Sequence, residues 1–420
     1  MMDREILVYV DLDGVPHLTG RLWSRSRKGR ETATFEYDAA WLENPARFSL
    51  EPALKLGPGP FHTAADLPMF GAIGDSAPDR WGRVLMRRME RRRAEHAQQT
   101  PRTLQEIDYL LLVDDEARQG ALRFAEHEGG PFLREPDAKR TPPFVELPRL
   151  LAAAERVADD EDTEDTEEDL RLLLAPGSSL GGARPKASVR DHDGHLAIAK
   201  FPHRDDEYNT VAWEMVALSL ARKAGIAVAD ARLEAVGGRP VLIVRRFDRA
   251  GGRRVPFLSS MSMLDARDNQ TRSYMEMADA LRQHGAAPKA DIQALWRRMV
   301  FNILISNTDD HLRNHGFLYP DATGWRLSPA YDLNPVPVDI KPRILTTAIN
   351  EDDGTASLEL AMTVAAYFGL DAGRARDIAA SVGAAVATWR DEGARFGLSK
   401  PELTRMASAF EHADLRAACD

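Results

Sequence analysis

The stretch NTDDHLRNHGF, residues 307–317, holds two aspartates, two histidines and two asparagines within eleven positions. Three chemistries fit those residue types. His311 and His315 stand four apart, the interval of zinc-binding histidines on one helical face. Asp309, Asp310 and His311 form a possible acid/base cluster. Asp309 and Asn314 read D-x-x-x-x-N, in which a carboxylate takes or orients a hydroxyl proton and an amide oxygen five residues on ligates Mg²⁺. Asp310 falls outside that spacing, so Asp309 is the candidate base. A zinc pair would need a continuous helix and a third ligand, whereas Asn314 and Gly316 interrupt the helix and no H-E-x-x-H glutamate is present. Phosphoryl transfer needs a second carboxylate to bridge the metal to the phosphates. SPAYDLNP supplies Asp332, just after the short hairpin HGFLYPDATGWRLSP. Oxygen donors of this kind suit Mg²⁺.

Such a loop requires a phosphate-holding part upstream. Glycines let backbone amides approach phosphate oxygens, and Gly177 to Ala183 is glycine-rich, although the same residues also suit a surface turn. Lys200 ends the alternating segment HLAIAK and shares a face with Leu196 and Ile198. An ammonium on that inner face calls for an anion such as phosphate, or else lays its stem on apolar surface. A strand-borne lysine after a glycine turn comes first, then a helix with an inward glutamate (Glu214 is the candidate). A strand entering a connector follows, then D-x-x-x-x-N and a later aspartate. This is the order of parts in a protein-kinase core.

Around these parts the chain reads as α+β: a protein-kinase-like core, a β-rich N-terminal subdomain and a mostly helical C-terminal lobe. EILVYVDLDGVPHLTGRLW alternates about the LDG turn, with Ile6, Val8 and Val10 on one face. DRWGRVLMRRMERRRAEH, from Asp79, is helical, with Trp81, Val84, Leu85 and Met89 on one stripe and arginines opposite. That basic face suits either solvent or a partner. Residues 159–169, DDEDTEDTEED, repel one another and read as an exposed loop or linker. A β-hairpin turns at Asp193-Gly194, EYNTVAWEMVALSLARKAGI is a helix closed by Gly225, and RPVLIVRRFDR is a buried strand running into polar residues. The expected divisions are an N-terminal subdomain over 1–150, an acidic linker or loop over 151–175, a nucleotide-binding β-rich part over 176–260 and a helical catalytic lobe over 261–420.

Composition narrows the function classes. Among 420 residues, 44% hydrophobic and 29% charged, no run of apolar residues is long enough to span a membrane, and the start carries acids where a secretion signal would be basic. A cytoplasmic protein without membrane contact is expected. Cys419 is the sole cysteine, which excludes disulfides and cysteine-based zinc sites from the fold. A net charge of −10 argues against unaided nucleic-acid binding through a broad basic face.

The segments SSLGGARPKA, IAKFP, RRFDR, NTDDHLRNHGF and LSPAYDLNP, in this order, resemble the HipA family of serine/threonine kinases, toxins of type II toxin-antitoxin modules. FGAIGDSAPDRWGRVLMRR and RQGALRF resemble that family's N-terminal subdomain. The resemblance implies ATP and Mg²⁺ as cofactors and a small helix-turn-helix antitoxin that binds both the toxin and operator DNA. It also implies a protein substrate such as an aminoacyl-tRNA synthetase, whose phosphorylation arrests translation. Matched by motif, Asp309 would be the catalytic base, and Asn314 and Asp332 the metal ligands. Lys200 would be the phosphate-binding lysine, paired with Glu214, and Arg245, Arg246 and Phe247 the adenine-side connector. Ser179, Leu180, Gly181, Gly182, Ala183, Lys186 and His311 would complete the ATP site, with Ser179 the autophosphorylated serine. Arg184 and Pro185 depart from the glutamine and glutamate of some members, and the acidic run matches no family motif. Two rivals stand beside this reading: a small-molecule kinase of related fold, and a catalytically silent, antitoxin-binding corepressor. The N-terminal β-rich segment with DSAPDRWGR argues against the first, and the retention of base and metal ligands against the second.

Overall fold

A computed structural model describes residues 3–27, 29–133, 141–158, 167–174, 182, 184–321 and 323–420. The chain forms two compact units, one of residues 1–205 with 235–258 and the other of 206–234 with 259–420. The fold is α+β, with a β-rich N-terminal region and a helical C-terminal region.

The first unit opens on a five-stranded antiparallel sheet in the spatial order Pro60–His62, Arg30–Tyr37, Val15–Arg27, Asp3–Leu12, Leu122–Ala125. Asp13 and Gly14 both take positive φ, +54° and +84°, which makes the two-residue turn whose twist matches the flanking strands. Ile6, Val8 and Val10 are buried, as the alternation predicts. Farther along, Lys186–Arg190, Leu196–Lys200 and Arg239–Arg245 pair antiparallel in that spatial order. Ala187, Val189, Ala197, Ala199 and Ile243 give one face of these strands to a core shared with Trp81, Leu150 and Leu170. The opposite face carries Lys186 and Lys200.

Sequence reading puts an acidic linker or loop at 151–175. Residues 159–166 lie outside the described residues, but both flanks are helical, Leu147–Ala158 and Glu167–Leu174. Their apolar stripes enter the core through Leu150, Leu151, Leu170 and Leu173. Arg156 pairs with the buried Asp169 at 2.5 Å, so one acid of the run is used structurally.

The second unit is built on helices, among them Thr210–Lys223, Tyr274–His284, Pro288–Leu304, Ala372–Val386 and Lys400–Phe410. Thr210–Lys223 belongs here rather than with the strands on either side of it, because Trp213 packs against Trp389 and Phe410 with ring centroids 6.1 and 6.0 Å away. Pro288 occupies a first-turn position, where its missing N–H costs nothing. Gly316–Leu318 and Arg326–Leu327 form the short hairpin expected before Asp332. Among the described residues, no helix is long and apolar enough to cross a membrane.

Candidate active site

In the second unit the long helix Pro288–Leu304 delivers the chain into a turn at Ser306, a non-glycine residue at φ +52°. Such backbone persists only where its surroundings fix it. Here the Ser306 hydroxyl donates to the Ala409 carbonyl at 2.7 Å. The loop that follows separates its two adjacent aspartates. Asp310 is buried, accepting the Tyr274 hydroxyl at 2.7 Å and the Thr346 N–H at 2.8 Å. Burial pushes its carboxyl up to about 7. Asp309 is exposed. The buried aspartate therefore anchors the loop, and the exposed one is left accessible.

Asn314 ends a 3-10 turn over Leu312–Asn314 and is 5% exposed. Its Nδ2 donates to the Asp309 carbonyl at 2.9 Å, fixing which way the amide faces. Its Oδ1 is buried without a hydrogen-bond partner among the described residues. A buried carbonyl oxygen left this way costs free energy, and a hard cation would satisfy it. Asp332 takes φ +55° and is held by Asn334, whose Nδ2 donates to its carbonyl at 3.2 Å and lies 3.4 Å from its Oδ1. The Asn334 N–H in turn donates to Asn307 Oδ1 at 3.3 Å, which ties the second carboxylate to the start of the loop. Asn307 and Asn334 escaped sequence reading; their signal was the asparagine at each end of the two motifs. The donor set of Asn314 and Asp332 fits Mg²⁺. His311 and His315 flank the 3-10 turn instead of sharing a helical face. His315 is buried and, through burial and then Arg298, falls to about 3, so it is neutral at physiological pH.

The raised carboxyl of Asp310 carries a stability signature. Its folded value, near 7, exceeds the ordinary aspartate value, so it contributes stability that is present below about pH 4 and is lost as pH rises through 7. Asp310→Asn removes the titrating group. The melting temperature of the natural protein minus that of Asp310→Asn is expected to fall between pH 5 and pH 8, by about 3 °C per unit at its steepest. Taking the difference cancels the opposite acid sensitivity of His315 and His412. A difference that stays flat across that range would contradict the assignment.

The first unit holds the remaining candidate residues apart from Glu214. Lys200 ends its strand directly opposite Lys186 across the antiparallel pair, so both project from one face. Lys186 is only 3% exposed, and its Nζ lies 3.0 Å from Asp79 Oδ2. Asp79 also caps the helix Arg80–His96 by accepting the Gly82 N–H at 2.9 Å, and Trp81 Nε1 donates to the Lys186 carbonyl at 3.0 Å. DSAPDRWGR is thus the clamp on the strand that leaves the glycine-rich segment. Gly182, at φ +94°, passes so close that a Cβ there would lie 3.1 Å from Lys186 Nζ. Ser178, Ser179, Leu180, Gly181 and Ala183 lie outside the described residues. Glu214 is buried on Thr210–Lys223, in the second unit.

The connector is chiefly architectural in its side chains. Arg245 Nη1 lies 3.5 Å from Asp193 Oδ2, and the Phe247 ring centroid is 6.3 Å from that of Phe257. Arg246 is 2% exposed. Its guanidinium donates to Asp248 Oδ1 at 2.8 Å, to the Arg118 carbonyl at 3.1 Å and to the Ala117 carbonyl. Arg249 donates to the carbonyls of Gly120 and Arg118 at 3.1 and 2.6 Å, and the Gly120 N–H returns to Asp248 Oδ2 at 2.8 Å. RRFDR and RQGALRF, 118–124, therefore interlock. Burial opposes the charge of Asp248, yet Arg246 and Arg249 outweigh it and hold its carboxyl well below the usual range.

Comparison with known proteins places this geometry. A "Putative kinase Y4mE" of Sinorhizobium fredii is 26% identical over 331 residues, 71% of each chain. A "Putative kinase" of Haemophilus influenzae is 24% identical over 208 residues, 43% of this chain and 61% of that one. Among solved structures, the Shewanella oneidensis toxin-antitoxin complex of HipA, HipB and operator DNA contains a chain that superposes with a TM-score of 0.68. It covers 99% of this chain and 96% of its own, at 18% identity, a likeness of fold. The HipA-like C-terminal domain matches residues 178–389, half of the chain and all three catalytic-loop candidates with it, and the protein belongs to that family.

Proposed function

We propose that the protein is an ATP-dependent serine/threonine protein kinase acting as the toxin of a toxin-antitoxin pair. The observation that carries the reading is the division of labour in NTDDHLRN. An exposed Asp309 stands beside a buried anchor, and five residues on a buried Asn314 oxygen has no hydrogen-bond partner among the described residues. In the proposed reaction Asp309 accepts or orients the proton of the substrate hydroxyl. Asn314 and Asp332 would hold Mg²⁺, which when bound neutralises charge on the phosphates. Lys200 would meet the phosphates from its strand end, with Glu214 as its ion-pair partner. Lys186, engaged by Asp79, would fix the strand beneath the glycine-rich segment. Arg245, Arg246 and Phe247 would offer the adenine side their backbone, and His311 would lie along the nucleotide.

The partner proposed is a HipB-like helix-turn-helix antitoxin, through which this acidic chain would reach DNA. Support comes from the Shewanella complex, which contains HipA, HipB and operator DNA. The substrate class proposed is a protein hydroxyl, for instance on an aminoacyl-tRNA synthetase, and the compartment is the cytoplasm. Ser179 is proposed to accept phosphate itself. There it would add about −1.5 to −2 charges where the nucleotide's own phosphates belong, and so weaken ATP binding.

Mass spectrometry of the protein after incubation with Mg-ATP, alone and with cell extract, tests these statements together. Phosphate on Ser179 and on an extract protein is the expected result. Phosphate on small metabolites alone would favour a small-molecule kinase, and no transfer at all a silent corepressor. Self-modification fails if neither Ser178 nor Ser179 gains phosphate while activity holds constant.

A further inference from the structure

The cations around the Asp309 loop differ in how fully they are occupied. Arg313 is paired with Asp268 at 2.5 Å. Arg343 is paired with Asp414 at 2.6 Å and also donates to Ser306 Oγ at 3.0 Å and to the Ile303 carbonyl at 3.0 Å. Arg298 donates to the Ser328 carbonyl at 2.6 Å while its Nε and Nη1 have no hydrogen-bond partner among the described residues, but at 3% exposed it is enclosed and cannot reach a substrate. Lys341 alone of these four is both partly exposed and without a carboxylate partner among the described residues. Its Nζ donates to the Thr308 carbonyl at 2.8 Å, and among the described residues it has no carboxylate partner. Thr308 immediately precedes Asp309, so the ammonium of a half-buried lysine, without a counter-ion among the described residues, sits one residue from the candidate base.

That ammonium is also held in place. The Val336 N–H donates to the Ser306 carbonyl at 3.2 Å, and the Lys341 N–H to the Pro337 carbonyl at 3.2 Å. Beyond it, Thr346 is bound to Asp310. The segment from 336 to 346 is therefore fastened to the loop before, at and after the lysine. An ammonium has three donors, and one carbonyl uses one of them. A fixed cation with spare donors beside a phosphoryl-transfer base is the arrangement that stabilises charge developing on the transferred group.

Resting on the phosphoryl-transfer reading above, we propose that Lys341 is a further catalytic residue, contacting the γ-phosphoryl oxygens during transfer. The substrate oxygen forms its bond to the γ-phosphorus as the bond from that phosphorus to the β,γ-bridging oxygen breaks. ADP departs with the bonding electron pair, and the hydroxyl proton passes to Asp309. Lys341 keeps all its protons and offsets the charge on the equatorial oxygens.

A tie between two segments would need only the hydrogen bond to Thr308, so variants that keep the bond and lose the charge separate the two roles. Lys341→Gln retains a donor for the Thr308 carbonyl, Lys341→Met removes bond and charge, and Lys341→Arg restores both. In the full chain with Mg²⁺, calorimetry would measure the affinities of ADP and of β,γ-methylene-ATP, and single-turnover assays the transfer rate. Lys341→Gln and Lys341→Met are expected to bind ADP as the natural protein does. They should lose about tenfold on the triphosphate and slow transfer about 100-fold, with Lys341→Arg recovering most of both. An unchanged triphosphate-to-diphosphate ratio in Lys341→Gln overturns the proposal even if Lys341→Met fails to fold. A natural protein that binds neither nucleotide overturns the kinase reading itself, and this inference with it.

Discussion

Asp309→Asn is expected to lower phosphoryl transfer by roughly 100- to 10,000-fold while leaving the melting temperature within about 1 °C of the natural protein's. Both halves follow from placement. The side chain is exposed, and asparagine preserves its volume but accepts protons poorly. The loop's shape depends on other groups: the Asp310 carboxylate, which takes the Tyr274 hydroxyl and the Thr346 N–H, and the Asp309 backbone carbonyl, which takes Asn314 Nδ2. Asparagine leaves all of these in place. Nucleotide affinity is accordingly expected to stay near its natural value. Transfer above a few per cent of the natural rate would remove Asp309 from the role of base.

Asp248→Ala is expected to have the largest effect on stability, a loss of about 3–5 kcal/mol. The substitution leaves the guanidinium groups of Arg246 and Arg249 buried without their shared anion, and the Gly120 N–H without its acceptor. Thermal melting should fall by roughly 10 °C, and the first unit should become susceptible to proteolysis before the second. The charge itself is the liability. A double variant, Arg246→Met with Asp248→Leu, removes both members of the closest pair and should recover part of the loss, because an apolar pair of similar volume needs no counter-ion. If Asp248→Ala melts with the natural protein, the carboxylate is not the keystone of the interlock.

The legible parts of this chain were those whose chemistry repeats at a fixed spacing. The hairpin before Asp332 stands in the structure as the sequence presents it, and the alternation of Ile6, Val8 and Val10 lies on a buried face. The use made of a polar residue by something distant in the chain was not legible. Lys186 meets Asp79 across 107 positions, and no periodicity announces such a pair. Arg246 looked like a connector side chain because it follows an apolar strand, and its guanidinium turns inward because Asp248 and two carbonyls wait there. The expected linker over 151–175 takes in most of one helix and all of another, since charge density dominates a local window while Leu151, Leu170 and Leu173 are recognised only by the core they enter.

The interlock of RRFDR with RQGALRF also sets a timetable for the newborn chain. The carbonyls of Arg118 and Gly120 leave the ribosome 128 or more positions ahead of the guanidiniums that will bind them. At about 5–20 residues per second, that interval lasts roughly 6–26 s. The first unit is also interrupted by residues 206–234, which belong to the second, so its closing strand arrives only after a piece of the other unit has emerged. From the emergence of Lys200 until that of Arg239–Arg245, the strand bearing Lys200 lacks this neighbour in its sheet. The first unit of a nascent chain therefore stays incomplete until the residues of RRFDR have been made.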